Sequence, residues 1–476
     1  MAIPQLCSDR LACRFYPTPV YRDYTHTLMP NSAAIPMPPS LRQALWYWLK
    51  LGLISFGGPA GQISLMHQEL VERRRWISER RFLHALNYCM MLPGPEAQQL
   101  ATYLGWLLHG TWGGILAGAL FVLPSLLILI GLSWIYLTFG HTLAVAGALY
   151  GIKPAVTAIV ALAAWRIGLR TLHHPLLWAI AVSAFLALTL LAAPFPAVIL
   201  CAGLLGFLGG QWIPTVFQTG GDQARIVARS PCPALIDDDS PPPPHTQFSR
   251  RRLIRLAIIG LLLWGGLLGM LALLFGWRGD PTQMGWFFTK AALLTFGGAY
   301  AVLPYVYQGA VEHYQWLSAA QMVDGLALGE TTPGPLIMIV AFVGFVGGWS
   351  QQWFGPEALA LAGILGAMVA TAFTFLPSFL FILIGGPLVE ATHGDLKFTA
   401  PLTGITAAVV GVIGNLALFF AWHTLWPSGW NGPFEWAAAL IGCAAGWLLY
   451  RQQVGVIPLI GGCAAAGLGY KLLMGG

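Results

Sequence analysis

Apolar stretches long enough to enter a lipid bilayer follow one another along most of this chain. They run at 44–66, 84–108, 112–138, 142–169, 175–192 and 196–213, then resume at 254–276, 286–306, 322–349, 358–386, 398–424, 434–450 and 454–473. A helix that crosses hydrocarbon needs about 20 predominantly apolar residues, because only a helix satisfies its own backbone there. Charged residues are 9% of the 476 and hydrophobic ones 57%, whereas a soluble domain carries about 25% charged residues. So few charges cannot clothe a soluble fold of this size. The predicted fold class is all-α, a polytopic integral membrane protein. Disorder over most of the length, collagen and small disulfide scaffolds are excluded. The 57 glycines and 33 prolines suit membrane helices, some of them broken.

The net charge of +6 points to basic cytoplasmic loops. No basic run interleaved with aromatics lies outside the hydrophobic frame, so no nucleic-acid partner is expected. The seven cysteines are scattered and form no CxxC or Cys/His spacing, so neither metal nor cofactor is expected. Residues 1–40 lack a signal-peptide core and read as a disordered tail. The layout is then a first transmembrane half at 41–213, a polar Pro-rich linker at 214–253, a connecting helix at 254–279 and a second half at 280–476. Prolines 241–244 predict an extended linker.

An internal repeat organises the two halves. At an offset of 240, Trp46 falls on Trp286, Lys50 on Lys290, Phe56-Gly57-Gly58 on Phe296-Gly297-Gly298, Trp76 on Trp316, Ser78 on Ser318, and Pro93-Gly94-Pro95 on Pro333-Gly334-Pro335. The match resumes at an offset of 253, where Leu123-Pro124-Ser125 meets Leu376-Pro377-Ser378. Duplicated membrane halves are a signature of secondary transporters. The segment 254–276 has no counterpart and supplies an odd crossing, which predicts inverted halves. The loop at 67–84 holds Arg73, Arg74, Arg75, Arg80 and Arg81, while its counterpart at 307–324 holds no Lys or Arg. The first should face the cytoplasm and the second the outside. Six full crossings before the linker would put 73–81 and the basic run Arg250–Arg255 on opposite sides. Segments that fold back at FGG and at PGP remove that conflict. Full crossings with one exception to the charge rule are the alternative.

The breaks are where chemistry is expected. Helices starting inside the bilayer after Phe56-Gly57-Gly58-Pro59, Pro93-Gly94-Pro95, Phe296-Gly297-Gly298 and Thr332-Pro333-Gly334-Pro335 expose N–H groups and a positive dipole end that favour an anion. The competing reading makes them packing kinks. Lys50 and Lys290 are candidate countercharges, against snorkelling to the interface. Gln98, Gln99, Thr331 and Thr332 are candidates for neutral hydrogen bonds. Glu96 and Glu330 are candidate proton carriers, against a first-turn cap and a loop carboxylate. They are not equivalent in the repeat, since Leu336 and Met90 hold the matching positions.

The run Phe56-Gly57-Gly58-Pro59, then Val71-Glu72 through Trp76-Ile77-Ser78-Glu79, then Leu92-Pro93-Gly94-Pro95-Glu96-Ala97-Gln98-Gln99-Leu100-Ala101, resembles the chromate ion transporter (CHR) family, long two-domain type. The second FGG, Trp316-Leu317-Ser318 and Thr332-Pro333-Gly334-Pro335 resemble its companion domain. The resemblance implies a bacterial inner-membrane carrier that exports chromate, confers chromate resistance and couples to protons. Ala299 stands where the first half has Pro59, a departure that leaves one full FGGP. A carrier of sulfate or another tetrahedral oxyanion is the alternative, and a passive channel a further one. A membrane-embedded enzyme is a distant third class, because no clustered acid–base or metal set is present. A homodimer is a candidate assembly, and the lipid bilayer is the other partner.

Overall fold

The structure, a computed structural model, describes residues 36–56, 58–217, 234–237, 243–296, 298–392, 399–427, 429–451 and 454–474. Gly57, Gly297, Asp238, Asp239 and nearly all of the expected N-terminal tail lie outside these residues. The first half comprises α1 (Leu41–Ile54), α2 (Gly58–His67) with a π-helical turn over Gln68–Arg73, α3 (Glu79–Met91), α4 (Glu96–Phe139), α5 (Leu143–Thr171), α6 (Pro175–Leu191) and α7 (Phe195–Trp212). The short α8 (Pro214–Phe217) precedes the linker, and α9 (Arg250–Phe275) follows it. The second half repeats the opening plan: α10 (Asp280–Leu294), α11 (Ala299–Tyr307) with a π-helical turn over Gln308–His313, and α12 (Ala319–Thr331). A 3-10 turn at Leu336–Met338 then leads into α13 (Ile339–Ser350), α14 (Leu359–Thr392), α15 (Thr399–Leu425), α16 (Trp436–Tyr450) and α17 (Val456–Leu473). Among the described residues, seven helices are long and apolar enough to cross a membrane: α4, α5, α7, α9, α14, α15 and α17.

Local chemistry explains where the short helices begin. Ser78 and Ser318 are N-caps that accept from the backbone N–H groups of Arg81 and Gln321, satisfying donors a helix start leaves free. The π-helical turns fall at matching places in the repeat. Inside α4, His109 (φ −134°) and Gly110 (φ 66°) leave the helical region, so α4 is two arms. They run antiparallel. A Cβ on Gly114 would lie 2.9 Å from the Thr102 carbonyl, and one on Gly118 would lie 2.8 Å from Gln98 Nε2. In the second half the same hairpin is built from α13 and α14, where Gly344 abuts the Gly366 carbonyl and Gly348 that of Ala362.

The chain turns back between α1 and α2, and again between α10 and α11. Trp76, after the first π-helical turn, reaches Tyr47 in α1 with ring centroids 6.2 Å apart, and the Arg74 guanidinium lies 5.4 Å from the Tyr47 ring. In the second half Trp316 meets Phe287 of α10 at 5.6 Å, and its indole N–H donates to Asp280 at 3.3 Å. Other contacts gather the first group of ends together. The ring of His109 bonds the Pro39 carbonyl at 3.0 Å, that of His245 bonds the Trp106 carbonyl at 2.8 Å, and Arg252 donates to Thr111 at 3.2 Å. The linker docks here as well: Leu235 and Ile236 donate to the carbonyls of Arg75 and Trp76 at 2.9 and 3.1 Å. The stretch 234–237, ahead of the proline run, is thus anchored to the loop after α2. At the other tip of α9, Phe275 meets Trp353 and Phe354 at 6.5 and 6.0 Å.

Candidate functional site

The breaks of one half are tied to those of the other. The N–H of Gly94 donates to the Thr295 carbonyl at 2.7 Å, and the N–H of Gly334 donates to the Ser55 carbonyl at 2.7 Å. Ser55 and Thr295 close α1 and α10, so their carbonyls lack intrahelical partners. In Pro-Gly-Pro only the glycine has an N–H to give. The glycines adopt φ 125° and 110°, a region glycine enters without steric cost. Each PGP elbow thereby satisfies the carbonyl just before the opposite FGG, and the starts of α2, α4, α11 and the turn before α13 are drawn together.

Polar side chains surround these elbows. Gln62 Nε2 donates to the Gly334 carbonyl at 2.6 Å, and Gln99 Nε2 to the Pro93 carbonyl at 2.7 Å. The repeat places Val302 and Ile339 opposite these glutamines, so the amide braces are one-sided. Ser125 and Ser378 are pseudo-equivalent and each follows a proline inside its helix. A Cβ on Gly334 would lie 2.7 Å from that of Ser125, and one on Gly94 would abut Ser378 Oγ. Ser55, Ser125 and Ser378 are buried, and their hydroxyls have no hydrogen-bond partner among the described residues. Nothing in the sequence reading singled them out, although the repeat had already paired Ser125 with Ser378.

With this geometry in view, comparison with known proteins decides the class. The profile of the Chromate transporter family matches residues 42–207 and 282–468, nearly all of both halves. The chain belongs to that family. It is 32% identical over 449 residues to a chromate transport protein of Pseudomonas aeruginosa, covering 89% of this chain and 96% of the relative. It is 30% identical over 384 residues to a chromate transport protein of Cupriavidus metallidurans, covering 80% and 83%. It is also 30% identical over 392 residues to a probable chromate transport protein of Synechococcus elongatus, covering 81% and 86%. No solved structure matches it. The family, with these bacterial relatives and the apolar helices, makes this a multi-pass bacterial membrane protein.

The remaining expected site residues of this chromate-transporter family member are placed as follows. Pro59 stands in the first turn of α2, Pro95 caps α4, and Pro335 caps the turn before α13. Phe56 and Phe296 are half-buried. Gln98 donates to Thr102 at 3.0 Å, and Thr332 to the Leu328 carbonyl at 2.7 Å, so both spend a donor within their own segments. Glu330 accepts from the Tyr300 hydroxyl at 2.7 Å, which links it to the first turn of α11. Glu96 is half-buried at the start of α4. Lys50 is exposed on the face of α1 that carries the exposed Trp46, and the Lys290 ammonium lies 6.0 Å from the Trp286 ring centroid. Both lysines thus share a face with a tryptophan. Among the described residues no group of His, Cys, Asp and Glu could hold a metal ion.

Two ion pairs that join helices far apart in the chain escaped the sequence reading. Arg81 of α3 bonds Glu390 of α14, and the Tyr103 hydroxyl donates to the same carboxylate at 2.5 Å. Lys153 of α5 bonds Asp324 of α12 at 2.8 Å, with the Tyr136 hydroxyl on its other oxygen at 2.9 Å. The available signal was a charge inside an apolar segment, present at Lys153 and Asp324, whereas Glu390 lies just beyond the segment 358–386. Their partners lie far away in sequence.

Proposed function

We propose that this protein is a secondary carrier that exports chromate across the inner membrane, coupled to protons, and so confers resistance to it. The observation that carries this reading is the crossed pairing of Gly94 with Thr295 and of Gly334 with Ser55. It gathers helix N-termini from both halves beside the hydroxyls of Ser125 and Ser378. Helix starts and hydroxyls are donors, and donors at a helix N-terminus suit a dianion without a fixed cation. A divalent tetrahedral oxyanion fits that chemistry, and the relatives named for chromate transport favour chromate. Sulfate has the same charge and shape, so competition by sulfate is the comparison that ranks the two.

We further infer that the halves run in opposite directions, with the Arg73–Arg81 loop and the Arg250–Arg255 run inside. The contacts that gather Trp76, Thr111, Ile236 and Arg252 at one end of the bundle, with α9 leading to Trp353 at the other, support this. Glu96 and Glu330, each beside a PGP elbow, are the proposed proton carriers. The test is chromate uptake into everted vesicles with and without an imposed proton gradient, acid inside. Uptake accelerated by the gradient is expected. Equal uptake under both conditions would favour a passive pore.

A further inference from the structure

A cavity of about 500 Å3 lies at the end of the bundle where α4 finishes, lined by Tyr136, His141, Tyr150, Lys153, Asp324 and Lys471 among others. Its place in the repeat gives it meaning. At the two offsets Gln321 matches Arg81 and Leu137 matches Glu390, and both Gln321 and Leu137 line the cavity. The pseudo-equivalent place at the opposite end is shut by the buried Arg81–Glu390 pair and its tyrosine. One face is latched where the other is open.

The open side keeps a charge pair deeper in. Lys153 is ten residues into α5, about 15 Å along its axis from the helix start. Its side chain is 28% exposed, whereas that of Asp324 is 8% exposed. The cavity therefore presents the ammonium, with the carboxylate behind it. A lysine ammonium has three N–H donors, and this one faces Asp324 Oδ1 at 2.8 Å as an ion pair. Lys471 adds a second cation on the wall, 5.2 Å from the Tyr150 ring, so cations outnumber carboxylates among the lining groups. Tyr136 remains as a donor to Asp324 when Lys153 turns away.

We propose that this cavity is the outer vestibule of the transport path and a binding site for a divalent oxyanion, held by Lys153 in exchange for Asp324. This rests on the reading of the elbows as an oxyanion cage. The test is chromate binding to the purified full-length protein in lipid nanodiscs by equilibrium dialysis. Lys153→Gln is expected to weaken binding by about tenfold or more, the worth of a hydrogen bond to a charged group. Lys153→Arg should retain binding, and Asp324→Asn should match or exceed the parent. Lys471→Gln probes the same cavity without disturbing the buried pair and should also weaken binding, which keeps the test valid if Lys153→Gln unfolds. Unchanged binding in both glutamine variants, or a loss in Asp324→Asn equal to that in Lys153→Gln, overturns the vestibule. Ser378→Ala separates the two readings. Loss there with Lys153→Gln and Lys471→Gln unchanged overturns the vestibule and keeps the cage. Loss in the lysine variants with Ser378→Ala unchanged overturns the cage.

Discussion

Gly94 and Gly58 show how the same residue type serves two different needs. Gly94 has φ 125° and the Ser378 hydroxyl where a Cβ would sit, while Gly58 has φ 75° and nothing within 4 Å of that position. For Gly94→Ala, left-handed strain of about 1–2 kcal/mol adds to a steric clash. Gly58→Ala carries only the conformational part, and its methyl enters the open space beside the start of α2. The expected outcome is low yield and no transport for Gly94→Ala, but near-parental yield with weakened transport for Gly58→Ala. Size-exclusion profiles of both variants beside chromate flux check it. Equal yields would mean that the elbow tolerates a side chain and is not held by close packing.

At the scale of elements, backbone contact at glycine joins helices across the halves. Gly151 of α5 abuts the Cys463 carbonyl and lies against Gly467 of α17, and Gly404 of α15 meets the Ala202 carbonyl and Gly206 of α7. Lipid is as apolar as the side chains, so helices in a bilayer associate by close packing. Gly151→Ala would push α5 and α17 apart where both sides are backbone, at a cost of about 1–3 kcal/mol. A lower thermal midpoint in detergent is expected, with transport per folded molecule little changed. Gly266→Ala on α9, where nothing lies within 4 Å, is the matched control and should leave the midpoint unchanged.

The whole molecule has an arrangement of charge that a membrane can read. Arg73, Arg74, Arg75, Arg250, Arg251 and Arg252 belong to the end where the linker docks beside Trp76, and positive loops stay in the cytoplasm. Arg80, at the start of α3, and Glu312, in the π-helical turn after α11, are both exposed and lie in the matching stretches 67–84 and 307–324. In intact cells, Glu312→Cys should react with a membrane-impermeant maleimide, and Arg80→Cys should react only after permeabilisation. Labelling of both, or of neither, before permeabilisation would refute the inverted arrangement.

Composition alone determined the membrane class. The offset repeat determined the duplication and the sites of the breaks, because proline fixes φ and removes a donor while glycine opens left-handed conformations, and neither needs a partner to do so. The motifs also placed the chain in its family. Lys50 marks where this stops. A lysine in an apolar segment suggests an inward role, yet Gly52 is the residue packed against the Leu120 carbonyl, and two residues on a helix are roughly 200° apart. Which face turns inward was decided by that contact with α4. The crossed elbow bonds, the pairing of Arg81 with Glu390 and of Lys153 with Asp324, and the hydroxyls of Ser125 and Ser378 likewise join segments far apart in the chain. Only the tertiary structure supplies them, because a local pattern carries the geometry of a break but not the identity of what it will meet.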